Sequence, residues 1–531
     1  MKAPLLAAAA AALFAAPATA SAAVDPPMSL PGDATVASVS ADHSTWIVGA
    51  RPGRTAQALA ARFGARHIGP RGTGGYTLAR GEARAFASAL KQQHLLVYAQ
   101  PNTLGVSLAA PNDPLSATPY DWRSMVADPT LPIPPVTSTS PLIALVDAQL
   151  DATHPEFVGG HITTTPTYPV TIAHGTATAS VAAAPTNGVG IAGVWPGARA
   201  LNVPLPPEIT CTASANQITK AIQSGAAVIN MSYGSEGLCY PEYVALQFAV
   251  ARGIIPVAAA GNEFAEGNPL EFPASLPHVL TVASVGPDNK SSYFSNASAA
   301  IDLSAPGEDI QTAVPPKLDE DGNQDGWMAQ SGTSFAAPMV AGAAAWVRAV
   351  RPNLTPDQVE QAVRLSAVDL APAGWDPNTG FGRLSVARAL SITPPPADPA
   401  EPNDDIVWVD GRAFGKPDRL FYKGKGHRRL QGLLDEFEDP ADVYRIRIRA
   451  HSHKRITANP TGKDDVALYV YRRKAKRLSQ KPYKKASHKR RGKTERITLR
   501  NPGKRDKTYY VAIRVQPGTR DLDAGYALRV G

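Results

Sequence analysis

Cysteine is scarce in this chain, which contains only two, Cys211 and Cys239, among its 531 residues. Neither has a histidine beside it in the sequence, which argues against a zinc site built from cysteine and histidine. An even pair in an exported protein favours one disulfide between the two cysteines, and two buried free thiols are the alternative.

Long apolar runs are also missing beyond the first residues, so the sequence contains no candidate for a membrane-spanning helix. Near the start, Lys2 is followed by an apolar stretch up to Phe14 and then by the small residues of 18–23. About a dozen apolar residues is too short to span a bilayer, whereas this arrangement is typical of a signal peptide. We expect residues 1–23 to be a signal peptide and the protein to be secreted, with a membrane anchor as the alternative.

Acidic residues are too few in the last part of the chain to balance the basic ones. Residues 401–531 hold 33 Lys and Arg but only 16 Asp and Glu, a net charge of +17. Because the whole chain has a formal net charge of +8, the first 400 residues carry −9. An excess of one sign over a whole region bears on its partners rather than on its fold.

The chain is too long for one hydrophobic core, and about three or four domains are expected. A proline-rich segment over residues 393–405 is typical of a stiff linker. Beyond it, apolar and polar residues alternate, which predicts an all-β sandwich over residues 406–531. Its predicted strands are Asp442–Ile448, Asp465–Tyr471, Thr494–Leu499, Tyr509–Val515 and Tyr526–Val530. The stretch Tyr471–Lys493 is so rich in lysine and arginine that we expect a solvated loop.

Between Pro141 and Ile392 apolar strands alternate with helical stretches, which predicts a parallel sheet covered by helices on both faces. The predicted strands are Leu142–Val146, Ala200–Val203, Val228–Met231, Ile255–Ala259 and Val279–Val285. The predicted helices are His174–Ala184, Ala213–Ser224, Tyr243–Ala251, Ser334–Val350 and Pro356–Leu365. Residues 35–107 form a separate α+β unit whose order β-α-β-β-α-β is that of a ferredoxin-like fold.

Four short segments carry residues suited to covalent catalysis. Ser334 lies in Gly332–Pro338, where a Gly-Thr turn leads into a run of small helix-forming residues. Upstream, Asp147 ends an apolar strand, His174 opens an alanine-rich helix and Asn262 follows another buried strand. Catalytic residues at strand ends and helix starts are typical of open α/β sheets.

A serine hydroxyl is a weak nucleophile at neutral pH unless an imidazole accepts its proton and a carboxylate orients that imidazole. Ser334, His174 and Asp147 can fill these roles. The oxyanion of the intermediate needs donors already in place, which the Asn262 side chain and the Ser334 backbone N–H can supply. A lone serine after Gly-Thr is usually a helix N-cap, so the hypothesis depends on the four residues together. Asp113, which lies further upstream, is expected to be a surface carboxylate in a turn.

The order Asp147, His174, Ser334 along the chain resembles that of the subtilisin-like serine proteases, or subtilases. The resemblance runs from about Asn112 to Leu390 and includes segments without a catalytic task. These are Asn112–Leu115, Val228–Ser232, Phe294–Asn296, Ser304–Gly307 and Thr379–Gly382. The resemblance implies a subtilisin-like α/β fold over residues 112–392 and a serine endopeptidase that needs no cofactor for catalysis.

The same resemblance assigns substrate-binding segments. Ser232, Tyr233 and Gly234 would pair with the substrate backbone, and Ala259, Ala260 and Gly261 would line the pocket for the residue on the acyl side of the cut. Glu271 falls at the base of that pocket, where a carboxylate would favour lysine or arginine. A Glu271 side chain directed to solvent is the alternative.

The regions on either side also resemble known domains. Residues 35–107 resemble the inhibitory propeptide of subtilases, which implies a zymogen that cuts itself within Leu104–Asn112, and an ordinary accessory domain is the alternative. The segment Glu401–Asp405 and the strand spacing after it resemble the bacterial pre-peptidase C-terminal domain.

Two segments depart from the family pattern. Asp147-Ala148-Gln149 stands where the family has Asp-Thr-Gly or Asp-Ser-Gly, so a hydroxyl is missing and a side chain replaces glycine. Ala177 and Ser180 stand where the family often has histidine and usually has glycine. No reacting group is lost, but a misplacement of about 1 Å can cost on the order of a hundredfold in rate.

The resemblance also implies a structural calcium site. The carboxylate of Glu156, the side-chain oxygen of Asn187 and backbone carbonyls such as those of Val189 and Ile191 would supply the oxygen ligands that this cation prefers. A glycine-rich turn without metal is the alternative. His154, close to Glu156, is expected to be structural.

The expected partners are protein or peptide substrates, the chain's own propeptide and, through residues 396–531, an anionic cell-wall polymer, with the protein itself a monomer. Specific nucleic-acid recognition is not expected, because Tyr483 is the only aromatic residue within Arg472–Lys493. The alternative function is a binding protein on a subtilase scaffold whose catalysis has decayed and whose basic domain attaches to anionic surfaces.

Overall fold

The computed structural model describes residues 45–68, 75–101, 113–117, 121–165, 167–394, 396–397, 401–435, 439–461, 464–487, 492–516 and 523–531. The predictions of a signal peptide over residues 1–23 and of a cleavage segment at 104–112 lie outside these residues. The contacts divide the chain into two compact units, residues 1–107 and residues 108–531.

The first unit contains one antiparallel sheet and two helices. Its elements are β1 (Thr45–Ala50), α1 (Arg54–Arg62), β2 (Arg66–Ile68), β3 (Gly75–Ala79), α2 (Arg80–Gln92) and β4 (Leu96–Pro101). The strands are ordered β2-β3-β1-β4. Trp46 and Val48 of β1 pack on Phe86 and Leu90 of α2 in a shared apolar core. The element order predicted from the sequence is confirmed.

The second unit begins with a short 3₁₀ turn (Pro114–Ala117) and continues with alternating helices and strands. The elements are α3 (Trp122–Val126), β5 (Ile143–Asp147), β6 (His161–Thr164), α4 (His174–Ala183), β7 (Arg199–Pro204), α5 (Cys211–Gln223), β8 (Val228–Met231), α6 (Tyr240–Val250), β9 (Ile255–Ala259), β10 (Leu280–Val285), β11 (Leu303–Pro306), β12 (Ile310–Ala313), β13 (Trp327–Gln330), α7 (Thr333–Val350), α8 (Pro356–Leu365) and α9 (Val386–Ser391).

Seven of these strands form one parallel sheet in the order β11-β10-β9-β8-β5-β7-β6. Every residue of β5, β8, β9 and β10 is buried, as expected for strands covered on both faces. The predicted parallel sheet is confirmed. The sequence did not predict the edge strands β6 and β11 or the β12–β13 hairpin.

Helix α7 crosses the centre of this unit and is buried on almost every side. Its small residues allow a close approach to α4. A side chain at Gly342 would place its Cβ 3.0 Å from the backbone oxygen of Ala182 in α4, so a larger residue there would crowd the two helices. The approach fixes the start of α7 beside the start of α4, which carries His174.

The rest of the second unit is rich in β-structure. It contains α10 (Ile406–Val409), β14 (Arg428–Asp435), β15 (Ala441–Ile448), β16 (Ser452–Pro460), β17 (Val466–Arg472), β18 (Lys484–Ala486), β19 (Glu495–Asn501), β20 (Lys507–Val515) and β21 (Asp523–Val530). Two antiparallel sheets form, with the orders β14-β21-β16-β19 and β15-β20-β17-β18. Leu434 and Ile456 of the first sheet share a core with Ile446, Leu468 and Ile513 of the second.

Part of this region differs from the prediction. Lys484–Ala486 lies within the stretch predicted as a solvated loop but pairs with Leu468–Val470 as strand β18. The sequence also missed β14 and β16, because basic residues at their outward positions hide the alternation. The five predicted strands correspond to β15, β17, β19, β20 and β21.

The proline-rich segment and the basic region pack on the parallel-sheet region rather than standing apart. The rings of Tyr243 in α6 and Trp408 in α10 lie 5.6 Å apart, and those of Phe248 and Phe414 lie 4.9 Å apart. Asn403 accepts a backbone hydrogen bond of 3.0 Å from Val443. Among the residues described, no helix has the length and apolar character needed to cross a bilayer.

Candidate active site

Asp147 and His174 form a short hydrogen bond. Asp147 is the last residue of β5 and is only 3% exposed, while His174 is the first residue of α4. His174 Nδ1 lies 2.6 Å from Asp147 Oδ1, which also accepts from the backbone N–H of Ala148 at 2.7 Å. Burial opposes a charged imidazole, but the charge and hydrogen bond of Asp147 outweigh it and raise the pKa of His174.

Ser334 lies one residue inside α7, close to the end of β8. Its hydroxyl donates to the backbone oxygen of Ser232 at 3.4 Å, and the Ser232 hydroxyl donates to the backbone oxygen of Ser334 at 2.9 Å. The rings of Phe335 and His174 are 5.9 Å apart, so the start of α7 faces the imidazole. In this structure the Ser334 hydroxyl is directed to the backbone oxygen of Ser232.

Asn262 is anchored to the residue before Ser334. Its Oδ1 accepts from the backbone N–H of Thr333 at 2.9 Å and from the Thr333 hydroxyl at 3.0 Å. The Thr333 hydroxyl in turn accepts from the backbone N–H of Gly261 at 3.2 Å. With its oxygen occupied in this way, Asn262 has its amide N–H₂ group left to donate beside the N-terminus of α7.

The two departures from the family pattern are accommodated by hydrogen bonds. Gln149 is buried, and its side-chain oxygen accepts from the backbone N–H groups of Thr167 and Tyr168 at 2.9 and 3.1 Å. Ser180 donates to the backbone oxygen of Ala177 at 2.7 Å and accepts from the backbone N–H of Ala313 at 3.0 Å. Each replacement side chain therefore has partners.

Thr178, which was not predicted from the sequence, donates its hydroxyl to Asp147 Oδ2 at 2.9 Å. Thr178 lies four residues after His174 on α4, so both side chains project from the same face of the helix. A hydroxyl at this spacing was the available signal. The sequence alone does not show that α4 comes close to the end of β5, so it does not reveal what this hydroxyl contacts.

Glu271 lies between two backbone segments named as substrate-binding. A Cβ at Gly234 would meet its Oε2 at 2.6 Å, and one at Gly261 would meet its Cγ at 2.7 Å. Glu271 is only 7% exposed, so the solvent-facing alternative is wrong. Burial, together with the charges of Glu263 and Glu236, raises the pKa of Glu271 to about 7.

The backbone next to Glu271 is hydrogen-bonded to the segment that follows Gly234. Ser235 and Phe272 exchange two backbone hydrogen bonds, each 2.9 Å long. Glu263 also approaches, since its carboxylate would lie 2.8 Å from a Cβ at Gly261 and accepts from the side chain of Asn296. Glu263 was not predicted from the sequence as a site residue, although it directly follows Asn262.

The residues assigned to calcium lie together, and Asp113 joins them. Glu156 is fully buried and accepts from the backbone N–H of Ile191 at 3.0 Å and from the indole of Trp327. Asp113 is 1% exposed and accepts from the backbone N–H groups of Asn187 and Gly188 at 2.9 and 3.0 Å. The expectation that Asp113 is a surface carboxylate is therefore wrong.

Two carboxylate oxygens in this cluster lack partners. Glu156 Oε1 and Asp113 Oδ2 are buried and accept no hydrogen bond from the described residues. Burial raises the pKa of Glu156 to about 8, against the opposing hydrogen bonds from Ile191 and Trp327. The Asn187 side-chain oxygen accepts from the backbone N–H of Val189 at 3.0 Å.

A cavity of about 270 Å³ opens beside His174 and Asp147. Ile172, Leu205, Pro206 and Ile209 contribute apolar surface to its lining. Such a cavity suits an apolar side chain adjacent to the reacting group.

The two cysteines are joined. The disulfide Cys211–Cys239 connects the start of α5 to the residue before α6, with Cα atoms 5.5 Å apart. The prediction of one disulfide is confirmed, and the alternative of two free thiols is wrong.

Known proteins are similar to this chain over the region that contains this site. Residues 138–382 match the Peptidase_S8 family, described as the subtilase family. Fervidolysin of Fervidobacterium pennivorans is 29% identical over 315 residues, which cover 53% of this chain and 45% of fervidolysin. Subtilisin E of Bacillus subtilis (strain 168) is 33% identical over 279 residues, which cover 50% of this chain and 70% of subtilisin E.

A solved structure, that of the prenylagaramide maturation protease PagA, is 29% identical with a TM-score of 0.42, covering 47% of this chain and 92% of that chain. The chain spans less than half the length of fervidolysin.

Proposed function

The chain belongs to the subtilase family of serine endopeptidases, and from this we propose that it is a secreted protease that cuts proteins through an acyl-enzyme intermediate. The observation that carries the proposal is the 2.6 Å hydrogen bond between His174 and Asp147 beside the helix start that holds Ser334. The pair supplies the oriented base that a serine nucleophile needs.

In the proposed reaction, Ser334 Oγ attacks the carbonyl carbon of the scissile bond while His174 Nε2 takes the hydroxyl proton. His174 then delivers that proton to the leaving amine nitrogen as the C–N bond breaks. A water molecule repeats the sequence on the acyl-enzyme and releases the carboxylate product. Asp147 holds the imidazole in one tautomer and stabilises its cation.

The tetrahedral oxyanion would be held by the Asn262 side-chain amide and the Ser334 backbone N–H. Two hydrogen bonds from Thr333 to the Asn262 oxygen support this role, because they fix which end of the side chain remains free to donate. Removing one such donor typically costs about a hundredfold to a thousandfold in kcat.

For substrate binding, we propose that Ser232–Gly234 and Ala259–Gly261 flank the residue on the acyl side of the cut. Glu271 lies between these segments and Glu263 is close by, which supports a preference for lysine or arginine at that position. A buried carboxylate would form a strong charge-assisted pair with such a side chain.

The remaining assignments extend the proposal. Residues 1–23 would be a signal peptide, and residues 35–107 a ferredoxin-like inhibitory propeptide removed by self-cleavage within 104–112. Residues 406–531 would form a β-sandwich related to the pre-peptidase C-terminal domain. This basic region would hold the enzyme on an anionic cell-wall polymer.

A structural calcium ion fits the buried cluster around Glu156. Glu156 and Asp113 would offer their carboxylates, Asn187 its side-chain oxygen, and Val189 and Ile191 their backbone carbonyls. The two buried carboxylate oxygens without partners support this assignment, because such oxygens are costly unless a cation or proton neutralises them.

Labelling with a fluorophosphonate tests the activity. The secreted protein should acquire one adduct, on Ser334, and lose its proteolysis in proportion. Ser331→Ala provides the matched control, since Ser331 is an exposed serine on the same segment and should leave labelling unchanged. A correctly processed protein that takes no label would instead favour the decayed scaffold that only binds anionic surfaces.

A further inference from the structure

One sheet of the basic region presents a cationic surface to solvent. In the sheet β14-β21-β16-β19, alternate residues such as Leu434, Ile456, Leu499 and Leu528 point into the core. Side chains of neighbouring residues therefore point outward. Outward positions carry the basic face, which we define as Arg429, His453, Arg455, Arg500 and Arg529.

The register of the strands brings these side chains together. Arg429 of β14 stands opposite Arg529 of β21, and His453 of β16 stands opposite Arg500 of β19. Like charges directly opposite in a sheet are destabilising. No ion pair within the described residues neutralises any of the four arginines. The arrangement therefore has a cost to the fold that an external anion would relieve.

The basic face borders a concavity of about 980 Å³. Thr457 and Thr498 add hydroxyl groups to its lining, and Arg428 and Lys454 add two further cations. The lining contains no acidic residue and no Phe, Tyr or Trp. A chain-like anion could lie along this groove and contact several guanidinium groups at once.

We propose that the basic face binds a linear phosphodiester polymer of the cell surface. Planar guanidinium groups match the oxygens of phosphate in a bidentate manner, which a row of lysines would not do. The lining offers no aromatic side chain on which a nucleobase could stack, and no exposed apolar residues that would enter a lipid bilayer. The proposal rests on the proposed attachment to anionic polymers and places its main contact on this sheet rather than on the loop Arg472–Lys493.

Binding of synthetic poly(glycerol phosphate) to the full-length Ser334→Ala protein tests this assignment without self-digestion. The triple variant Arg429→Gln, Arg455→Gln, Arg529→Gln should weaken binding about a hundredfold, since each lost cation near an anionic surface costs about fivefold. The matched control is Arg473→Gln, Lys474→Gln, Lys476→Gln, which removes the same charge from the loop and should weaken binding less than tenfold.

The outcomes separate the two levels of the proposal. If the loop variant loses binding and the sheet variant keeps it, attachment stands but the basic face is wrong. If both variants lose binding equally, only net charge matters and the basic face is again wrong. If the unmodified chain fails to bind the polymer, or binds single-stranded DNA or anionic vesicles more tightly, both the site's assignment and the proposed partner fall.

A second inference concerns Asp147 and follows from independent contacts. Its Oδ1 accepts from His174 and from the Ala148 backbone, while its Oδ2 accepts the Thr178 hydroxyl at 2.9 Å. The same hydroxyl is 3.4 Å from the backbone oxygen of Gly175, a weaker alternative. Ala148 has no hydroxyl, and the Thr178 hydroxyl reaches Asp147 from α4 instead.

We infer that Thr178 is a positioning residue, which fixes the Asp147 carboxylate and through it the imidazole. A donor on Oδ2 stabilises the carboxylate charge and makes it a weaker attractor of the His174 proton. Without the donor, the pKa of His174 rises and less of the enzyme carries the neutral base at a given pH.

The isosteric change Thr178→Val tests this role. It should lower kcat about tenfold, the worth of one hydrogen bond to a charged group, with KM unchanged. It should also move the acidic limb of the kcat/KM profile to higher pH. Thr178→Ser keeps the hydroxyl and should retain both the rate and the pH profile.

Two results would overturn this inference. A Thr178→Val enzyme with the original rate and acidic limb would show that Asp147 needs no second donor. Equal losses in Thr178→Val and Thr178→Ser, with no movement of the acidic limb, would show that the methyl group's packing matters rather than the hydroxyl.

Discussion

The Nε2 atom of His278 lies 2.8 Å from Asp404 Oδ1, and this contact joins the parallel-sheet region to the start of the basic region. Glu401 Oε2 lies 3.4 Å from the same nitrogen, and the His278 side chain is only 9% exposed. Burial disfavours the charged imidazole, but Asp404 outweighs it and raises the pKa of His278 to about 9. The junction is therefore ionic at neutral pH.

The first prediction is that this junction weakens in alkali. Because the pKa of His278 is about 9 when folded and 6.5 in its ordinary state, its stabilisation is complete below pH 6.5 and lost as pH rises through 9. The loss should be on the order of 3 kcal/mol in the free energy of unfolding. Calorimetry of inhibited enzyme from pH 6 to 10 measures it.

His278→Gln is the control for that measurement. Glu360, whose pKa burial raises to about 8, also lowers stability as pH rises, and the charge of His278 opposes that rise in its pKa. The difference between the two proteins therefore measures His278 together with its effect on Glu360. Wild-type and variant melting temperatures that stay parallel over this range would contradict the prediction.

A second prediction concerns specificity. Because the pKa of Glu271 is about 7, its carboxylate forms as pH rises through neutrality. The ratio of kcat/KM for arginine against phenylalanine peptides should therefore rise about tenfold between pH 6 and 8. Titration of His174 affects both peptides equally and cancels in the ratio.

Glu271→Gln should make this ratio low and independent of pH, while turnover of the phenylalanine peptide persists. Equal turnover of both peptides by wild type and variant at every pH would remove Glu271 from the specificity pocket. Glu263→Gln serves as a comparison at the neighbouring carboxylate and should have a smaller effect.

A third prediction concerns calcium at Glu156 and Asp113. Chelation should lower the melting temperature, because a ligand that binds only the native state stabilises it, by about 2.7 kcal/mol at a hundredfold excess over Kd. Trp327 donates to Glu156, so calcium addition should also change its fluorescence.

Trp327→Phe identifies the fluorescence signal, and Asp113→Asn should weaken calcium binding while keeping a side chain of the same shape. A melting temperature that changes neither with chelator nor with added calcium would contradict the calcium site.

The fourth prediction is self-maturation. Ser334→Ala removes the nucleophile and should accumulate as a precursor that still contains residues 35–107, whereas Ser331→Ala should mature normally. Mass spectrometry of protein from the medium of a host without other proteases gives the N-termini. Normal processing of Ser334→Ala in that host would contradict self-cleavage.

The elements that the sequence predicted best are those whose residues are buried on all sides. Val228–Met231 and Ile255–Ala259 have the bounds that the apolar runs predicted, because a strand covered on both faces is apolar along most of its length. Strand β6 was missed since its residues alternate between exposed and half-buried over only four positions. Its hydrogen bonds to β7, rather than a pattern in its own sequence, define it as a strand.

The candidate site shows the same division. Asp147, His174, Asn262 and Ser334 were identified because their local sequence patterns are distinctive. Thr178 and Asp113 were not predicted to be site residues. Their hydrogen-bond partners, Asp147 and Asn187, come near them only in the folded chain. The burial of Glu271 likewise depends on two distant glycine-containing segments.

Strand β21 comes last in the sequence, yet it lies between β14 and β16 in its sheet. Neither neighbour can complete its hydrogen bonds until Asp523–Val530 has been made and has docked. Pairings between strands so far apart in sequence form slowly. The groove is therefore complete only after this strand has docked, so a chain exported before folding would not yet carry the proposed polyanion site.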